Sequence, residues 1–87
     1  MKHFVLIVST PEGEIFRGKA INISLRGVEG DLAVMAGHTP FITAVTPCIC
    51  KIETEDGEVI AGKVDGGMLT VSKESVTLLT GGFVKKN

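Results

Sequence analysis

Short segments rich in Val, Ile and Thr recur every eight to twelve residues or so along this chain, and Gly, Pro or Asp bounds each of them. This spacing is typical of an antiparallel β-sandwich or barrel. No segment shows a convincing helical period, in which apolar residues would return every three to four positions. The sequence therefore predicts an all-β fold.

The strands are predicted from the apolar runs, and the turns from the residues between them. We expect strands at residues 4–9, 14–17, 20–25, 32–34, 41–45, 48–53, 59–61, 68–71 and 76–79. In residues 20–25 the alternation places Ile21, Ile23 and Leu25 on the core side. Pro47 is expected to break a strand because proline cannot donate to a central ladder. Asp56-Gly57 is the strongest hairpin signal, and Gly66-Gly67 is expected to start a further turn.

Length and composition indicate a single globular domain spanning residues 1–87. A chain of 87 residues has room for one hydrophobic core. With 44% hydrophobic and 22% charged residues, it can offset its ordering entropy by burial. We therefore expect it to fold alone.

Charge and hydropathy argue against nucleic acid and membrane insertion. Nine basic and ten acidic residues give a net charge of −1, and no basic run could track phosphates. The longest aliphatic or aromatic run, residues 4–8, is far shorter than the ~20 residues that span a bilayer. No secretory signal precedes it, so we expect a cytoplasmic location.

Motifs for catalysis, cofactors or metals are weak. Gly62-Lys63 is followed by Val64, so the phosphate-binding loop pattern is not met. His3, His38, Cys48 and Cys50 match none of the usual zinc spacings. A disulfide between Cys48 and Cys50 would strain an extended strand, so free thiols are expected. We therefore expect no catalytic residue, cofactor or metal, and hence a non-catalytic protein.

Two other functions remain open from the residues alone. A β-sandwich that binds a ligand or carbohydrate would need an aromatic platform, but the chain has no Trp and no Tyr. A thiol or metal enzyme would have to be built on Cys48 and Cys50. Neither alternative has a supporting motif.

Residues 27–45, which read GVEGDLAVMAGHTPFITAV, resemble the signature of the N-terminal domain of the ATP synthase epsilon subunit. Residues 66–71 and 76–79 resemble that family's Gly-Gly ending, and residues 6–16 resemble its first hairpin. The similarity thus covers nearly the whole chain. Departures are Met35-Ala36, where an aromatic residue and proline are common, and Cys48, where glycine is usual. The two helices that follow in most members have no counterpart, which fits a naturally short subunit or an isolated domain.

The resemblance implies a flattened sandwich of two antiparallel sheets of roughly five strands each, without a C-terminal helical hairpin. It also implies a non-catalytic subunit of the rotor, or central stalk, of an F-type ATP synthase. Such a subunit docks on the gamma subunit and the c ring and helps couple proton transport to ATP synthesis. It would lie peripherally, on the cytoplasmic side of a bacterial inner membrane.

By the same resemblance, Glu29, Asp31 and His38 are the expected partner-binding residues, at the end of the sandwich that faces the c ring. Simpler roles are open for two of them: Asp31 as a turn residue, and His38 as a loop histidine bonding a carbonyl. Their two loops flank a very short strand, and would share an end only if that strand folds back or crosses over. The gamma contact requires a larger apolar patch on one outer face, and alternation alone does not assign that face.

Overall fold

β-strands account for most of residues 2–86, the part of the chain that the computed structural model describes, and no helix occurs among them. Seven strands are formed there: β1 (Phe4–Thr10), β2 (Gly13–Gly27), β3 (Gly30–Met35), β4 (Phe41–Thr54), β5 (Val59–Val71), β6 (Ser75–Thr80) and β7 (Phe83–Lys85). The all-β prediction is confirmed.

The strands pair into one sheet that closes on itself. The order is β1-β6-β5-β4-β2, and β2 pairs again with β1, so these five strands form a barrel-like ring. β3 is added on β2, and β7 on β5. All pairings are antiparallel except that of β1 with β6, which is parallel. The hydrogen bonding therefore describes a closed sheet and not two separate ones.

Three strands are longer than predicted, because features expected to end them instead bend them. β2, β4 and β5 each join two of the predicted segments. Pro47 lies inside β4, between Val45 and Lys51, where the register of β4 against β2 is interrupted. Its missing N–H therefore costs no ladder bond on that side.

The Gly66-Gly67 pair lies within β5 and does not form a turn between strands. Their φ angles are 91° and 142°, in the region that favours glycine. A β-carbon on Gly67 would overlap the carbonyl oxygen of Leu79 on β6. The pair thus bends the strand and lets β6 approach closely.

The core is formed by the inward positions of the ring strands. Its largest fully buried side chains are Leu6, Ile23, Ile52, Leu69 and Leu78. Ile21, predicted to point inward, is only half-buried. Ala20 pairs with Thr54 and Asn22 with Glu53, so Ile21 is an extra residue in a bulge. Ala20 occupies the core position in its place.

Three hairpins agree with their turn signals. Thr10 pairs with Gly13 across the first turn, and Gly57, with φ 92°, donates to the carbonyl of Thr54 in the second. Ser72 and Ser75 close the third through a 2.8 Å backbone bond. β7 was not predicted, since three residues after Gly81-Gly82 show no alternation.

Candidate functional site

Eight outward positions on four neighbouring strands form a surface without charge. The registers align Ala44 with Met68 and Met68 with Leu79, and Leu79 lies opposite Ser9. A second row lies beside the first. We call this surface the uncharged face: Ile7, Ser9, Ile42, Ala44, Met68, Thr70, Thr77 and Leu79.

The large apolar side chains of the uncharged face are exposed to solvent. Ile42 is 67% exposed, Leu79 52% and Met68 42%. Isolated exposed apolar residues are normal on a protein surface, whereas a contiguous apolar patch is a mark of an interaction site. This surface is therefore the strongest candidate for docking.

A second outer surface, carried by β3, β2, the second half of β4 and the first half of β5, has the opposite character. We call it the charged face, and its members include Arg26, Asp31, Ile49, Lys51, Glu53 and Lys63. Ser24 pairs with Lys51, and Ile49 with Lys63, so the charges stand in adjacent rows. The two faces thus differ in chemistry and not only in position.

Asp31 lies at the start of β3, opposite Arg26 of β2. The Arg26 Nε atom lies 2.8 Å from the Asp31 Oδ1 atom. The hydrogen bond to Asp31 raises the pKa of Arg26. Both side chains are largely exposed, so the pair adds little stability. The Asp31 carboxylate is already paired with the Arg26 guanidinium. A docking partner would have to share that guanidinium or replace it as the partner of Asp31.

Glu29 lies in the two-residue turn between Gly27 and Gly30, which pair with each other. It is exposed. Within residues 2–86 it takes part in no salt bridge. Of the two acidic residues predicted to bind a partner, Glu29 is therefore the one whose charge is uncompensated.

His38 lies in the loop between β3 and β4. Its backbone amide donates to the carbonyl of Met35 at 3.2 Å, and its Nδ1–H donates to the carbonyl of Thr39 at 2.9 Å. The ring centroid is 5.1 Å from that of Phe41. The loop-histidine role is thus realised, and the side chain also remains exposed.

The three predicted residues do not converge on one cluster. β3 pairs without a break along residues 22–27 of β2, so it neither folds back nor crosses over. At 3.4 Å per residue, its six residues separate the two flanking loops by about 17 Å. Glu29 and Asp31 lie at one end of this added strand and His38 at the other. The expectation that the three residues lie at one end of the sandwich is therefore corrected. They lie along one edge of the sheet, the edge formed by β3.

The cysteines are both free, as predicted. Cys50 is fully buried, and burial, with a smaller effect of Cys48, raises its pKa to about 12. Cys48 is half-buried, and its Sγ accepts the backbone N–H of Arg26 at 3.3 Å where β2 and β4 lose register. Such a neutral, desolvated thiol as Cys50 is a poor nucleophile.

Metal-ligating side chains do not cluster within residues 2–86. No three or more His, Cys, Asp or Glu residues in this part of the chain are placed to hold a metal ion. None of its segments is a helix with the length and apolarity needed to cross a membrane.

The uncharged face was not predicted from the sequence, although a signal for it existed. In residues 68–71 and 76–79 the outward positions are Met, Thr and Leu, with no charge on either side of the strand. A strand that is apolar or neutral on both sides is typical of one covered on both sides. Which strands lie next to each other, however, could not be read from the alternation.

Residues 2–86 thus form a closed all-β sheet with one outer face that carries no charge. Residues 3–86 match the family described as ATP synthase, Delta/Epsilon chain, beta-sandwich domain, and the chain belongs to this family. The resemblance noted in the sequence is thereby confirmed.

Solved structures show the same fold. A chain in the mitochondrial ATP synthase of Euglena gracilis (OSCP/F1/c-ring) superposes with a TM-score of 0.89 at 25% identity, covering 95% of this chain and 53% of that one. A chain in the central stalk/c-ring of the Tetrahymena thermophila mitochondrial ATP synthase gives 0.76 at 17% identity, covering 94% and 66%. The second likeness concerns the fold alone. This chain spans about half the length of the Euglena chain.

Proposed function

We propose that this chain is a non-catalytic rotor subunit in the central stalk of an F-type ATP synthase. It docks on the gamma subunit and the c ring and helps couple proton transport to ATP synthesis. Membership of the delta/epsilon family supports this function, as does the similarity to a chain in a complex that contains F1 and a c ring.

The gamma subunit binds the uncharged face in this proposal. The observation that carries it is the contrast between that face, with Ile42, Met68 and Leu79 exposed, and the charged face on β2, β3 and β4. Stable interfaces have an apolar centre depleted of charged residues. Of the two faces, only the uncharged face offers an apolar centre without charged residues.

The c ring contacts the β3 edge in this proposal. Asp31 and His38 lie at the two ends of that edge, and Glu29 lies beside Asp31. Charged and imidazole groups at a rim set docking orientation and association rate more than affinity. Asp31 contributes as part of its ion pair with Arg26. A polar loop of the c ring can add a hydrogen bond to this pair or replace one of its two members.

The closed sheet accommodates the flattened sandwich implied by the resemblance. β4 pairs with β2 mainly through its second half, and β5 lies between β4 and β6. We propose that the bends near Pro47 and Gly66-Gly67 fold the long strands over, so that their halves contribute to two layers of one domain.

The proposed location is peripheral to the membrane that carries the complex. For this chain we propose the cytoplasmic side of a bacterial inner membrane, whereas both solved neighbours are mitochondrial.

A matched pair of lysine substitutions tests the gamma contact. Leu79, 52% exposed on the uncharged face, and Ile49, 47% exposed on the charged face, are similar in size and exposure. Leu79→Lys should weaken binding to purified gamma subunit by about tenfold or more, since a charge would be buried at the centre of the interface. Ile49→Lys should stay within about twofold, which is under 0.5 kcal/mol.

Binding is measured by titration calorimetry, with thermal melts confirming that both variants are folded. Equal losses in the two variants, or full binding by Leu79→Lys, would remove the assignment of gamma to the uncharged face.

A further inference from the structure

The turn between β2 and β3 belongs to the uncharged face. Gly27 pairs with Val45, and the next residue, Val28, donates its amide to the carbonyl of Ala44 at 3.2 Å. Residues that face each other in antiparallel strands share one side of the sheet. Val45 is buried and Ala44 points outward, so Val28, which is 63% exposed, continues the outward row. That row now runs from Val28 through Ala44 and Met68 to Leu79.

Glu29 therefore stands at the border of the uncharged face. It follows Val28 directly, it is exposed, and within residues 2–86 no cation pairs with it. Asp31 is only two residues further on, but it faces Arg26 on the charged face. The two acidic residues of this hairpin thus serve different surfaces.

The opposite border of the uncharged face carries one acidic residue, Glu14 opposite Ser9, and two basic ones. Along β2, Arg17 lies opposite Ile7, and Lys19 lies opposite Val5. Arg17 is neutralised by Glu14, through bonds of 2.9 and 2.6 Å to its two carboxylate oxygens. Lys19 is exposed and has no salt bridge among the residues described. On these two sides of the uncharged face, the border charges without a salt bridge among the residues described are Glu29 and Lys19. Lys19 shares a surface pocket with Glu55, Asp56 and Glu58, and the turn between β5 and β6 adds Lys73 and Glu74 at a third side.

We propose that Glu29 and Lys19 orient the gamma subunit on the uncharged face. This rests on the proposed function, and it assigns Glu29 to gamma and not to the c ring. Lys19 and Gly27 are eight positions apart along β2, which is up to about 27 Å at 3.4 Å per residue, and Glu29 lies two residues beyond Gly27. The fitting partner surface is an apolar patch with a basic group facing Glu29 and an acidic group facing Lys19. Two opposite charges so far apart permit one orientation and oppose its reverse.

The test is the rate of association with purified gamma subunit, measured by stopped flow at low and high ionic strength. Glu29→Gln and Lys19→Gln should each slow association about two- to fivefold at low salt, because a border charge acts mainly on encounter. The difference should vanish near 1 M salt, where the Debye length is about 3 Å. The matched controls Glu53→Gln and Lys63→Gln, on the charged face, should associate like the unmodified chain.

The possible failures separate this inference from the proposed function. If Leu79→Lys weakens gamma binding but the Glu29 and Lys19 variants associate normally at low salt, the orienting role is wrong and the gamma face stands. The orienting role is equally wrong if the control variants slow association to the same extent, or if Glu29→Gln instead weakens binding to isolated c ring. If Leu79→Lys binds gamma normally, both proposals fail.

Discussion

The ring of Phe83 lies directly over the α-carbon of Gly62, so closely that a β-carbon there would overlap it. Gly62 is buried within β5, at the three-residue pairing that holds β7. Phe83 in turn packs against the core at the end of the ring lined by Val8, Phe16 and Ile60. A missing side chain on β5 thus allows the short strand β7 to cover one end of the core.

Gly62→Ala should therefore destabilise the chain by about 1–3 kcal/mol, since the new methyl group must displace the Phe83 ring. Combining it with Phe83→Ala should cost less than the sum of the single changes, because the overlap is then gone. Urea unfolding measures all three. Gly81→Ala is the matched control: nothing lies within 4 Å of its added β-carbon, and it should change stability by less than about 0.5 kcal/mol. An unaffected Gly62→Ala variant would contradict this packing.

Local signals in the sequence predicted the class of the fold and its hairpins, because alternation and turn residues act over a few positions. Asp56-Gly57 formed its hairpin where expected. The signals failed at Pro47 and Gly66-Gly67, since the same residues that end a strand can also bend one, and the neighbouring strands decide which. The bulge at Ile21 depends likewise on the register with β4.

The docking roles of Glu29, Asp31 and His38 stay predictions, and how these residues are arranged could not be read from the sequence. His38 has the simpler role left open for it, a bond to a carbonyl, whereas Asp31 is not the turn residue expected but a strand residue paired with the Arg26 side chain. The separation of Asp31 from His38 follows from the pairing of β3 with β2, which no local pattern contains. The uncharged face required the order β1-β6-β5-β4, which includes a parallel pair formed by distant segments.

The two thiols should differ sharply in reactivity. Cys48 is half-buried and Cys50 is buried with its pKa raised to about 12. At pH 8, iodoacetamide should modify Cys48 in the folded chain and leave Cys50 intact until urea is added, as mass spectrometry of the peptides would show. Modification of Cys50 at the rate of Cys48 would show that the core opens readily.

Cys50 should also make stability depend on pH in alkaline solution. Its pKa rises from 9.0 in the unfolded chain to about 12 in the folded one, so the native state retains a proton that the unfolded state loses. The stabilising contribution is complete below pH 9 and is lost as pH rises towards 12, by up to about 1.4 kcal/mol per unit. The stability of the unmodified chain should fall more steeply over this range than that of Cys50→Ala. Parallel curves from urea unfolding would contradict the prediction.

Thr54 is a buried polar residue whose hydroxyl holds the β4–β5 hairpin together. Its Oγ1 accepts the amide of Glu58 at 3.0 Å and donates to the carboxylate of Asp56. Thr54→Val keeps the shape and removes the hydroxyl, so it should cost about 1–3 kcal/mol. Thr54→Ser retains the hydroxyl and should lose less. Equal stability of the valine variant and the unmodified chain in thermal melts would show that the hydroxyl is not needed.

The separation of Asp31 from His38 predicts that they act independently in docking. Each lies at its own end of β3, about 17 Å apart, beyond the range at which substitutions usually couple. If both contact the c ring, the losses of binding free energy in Asp31→Asn and His38→Ala should add within about 0.5 kcal/mol in the double variant. Binding to purified c ring in detergent measures all three, with Lys63→Gln as the control outside the β3 edge. A strongly non-additive double variant would mean that the two residues meet one group of the partner, which the unbroken pairing of β3 along β2 does not allow.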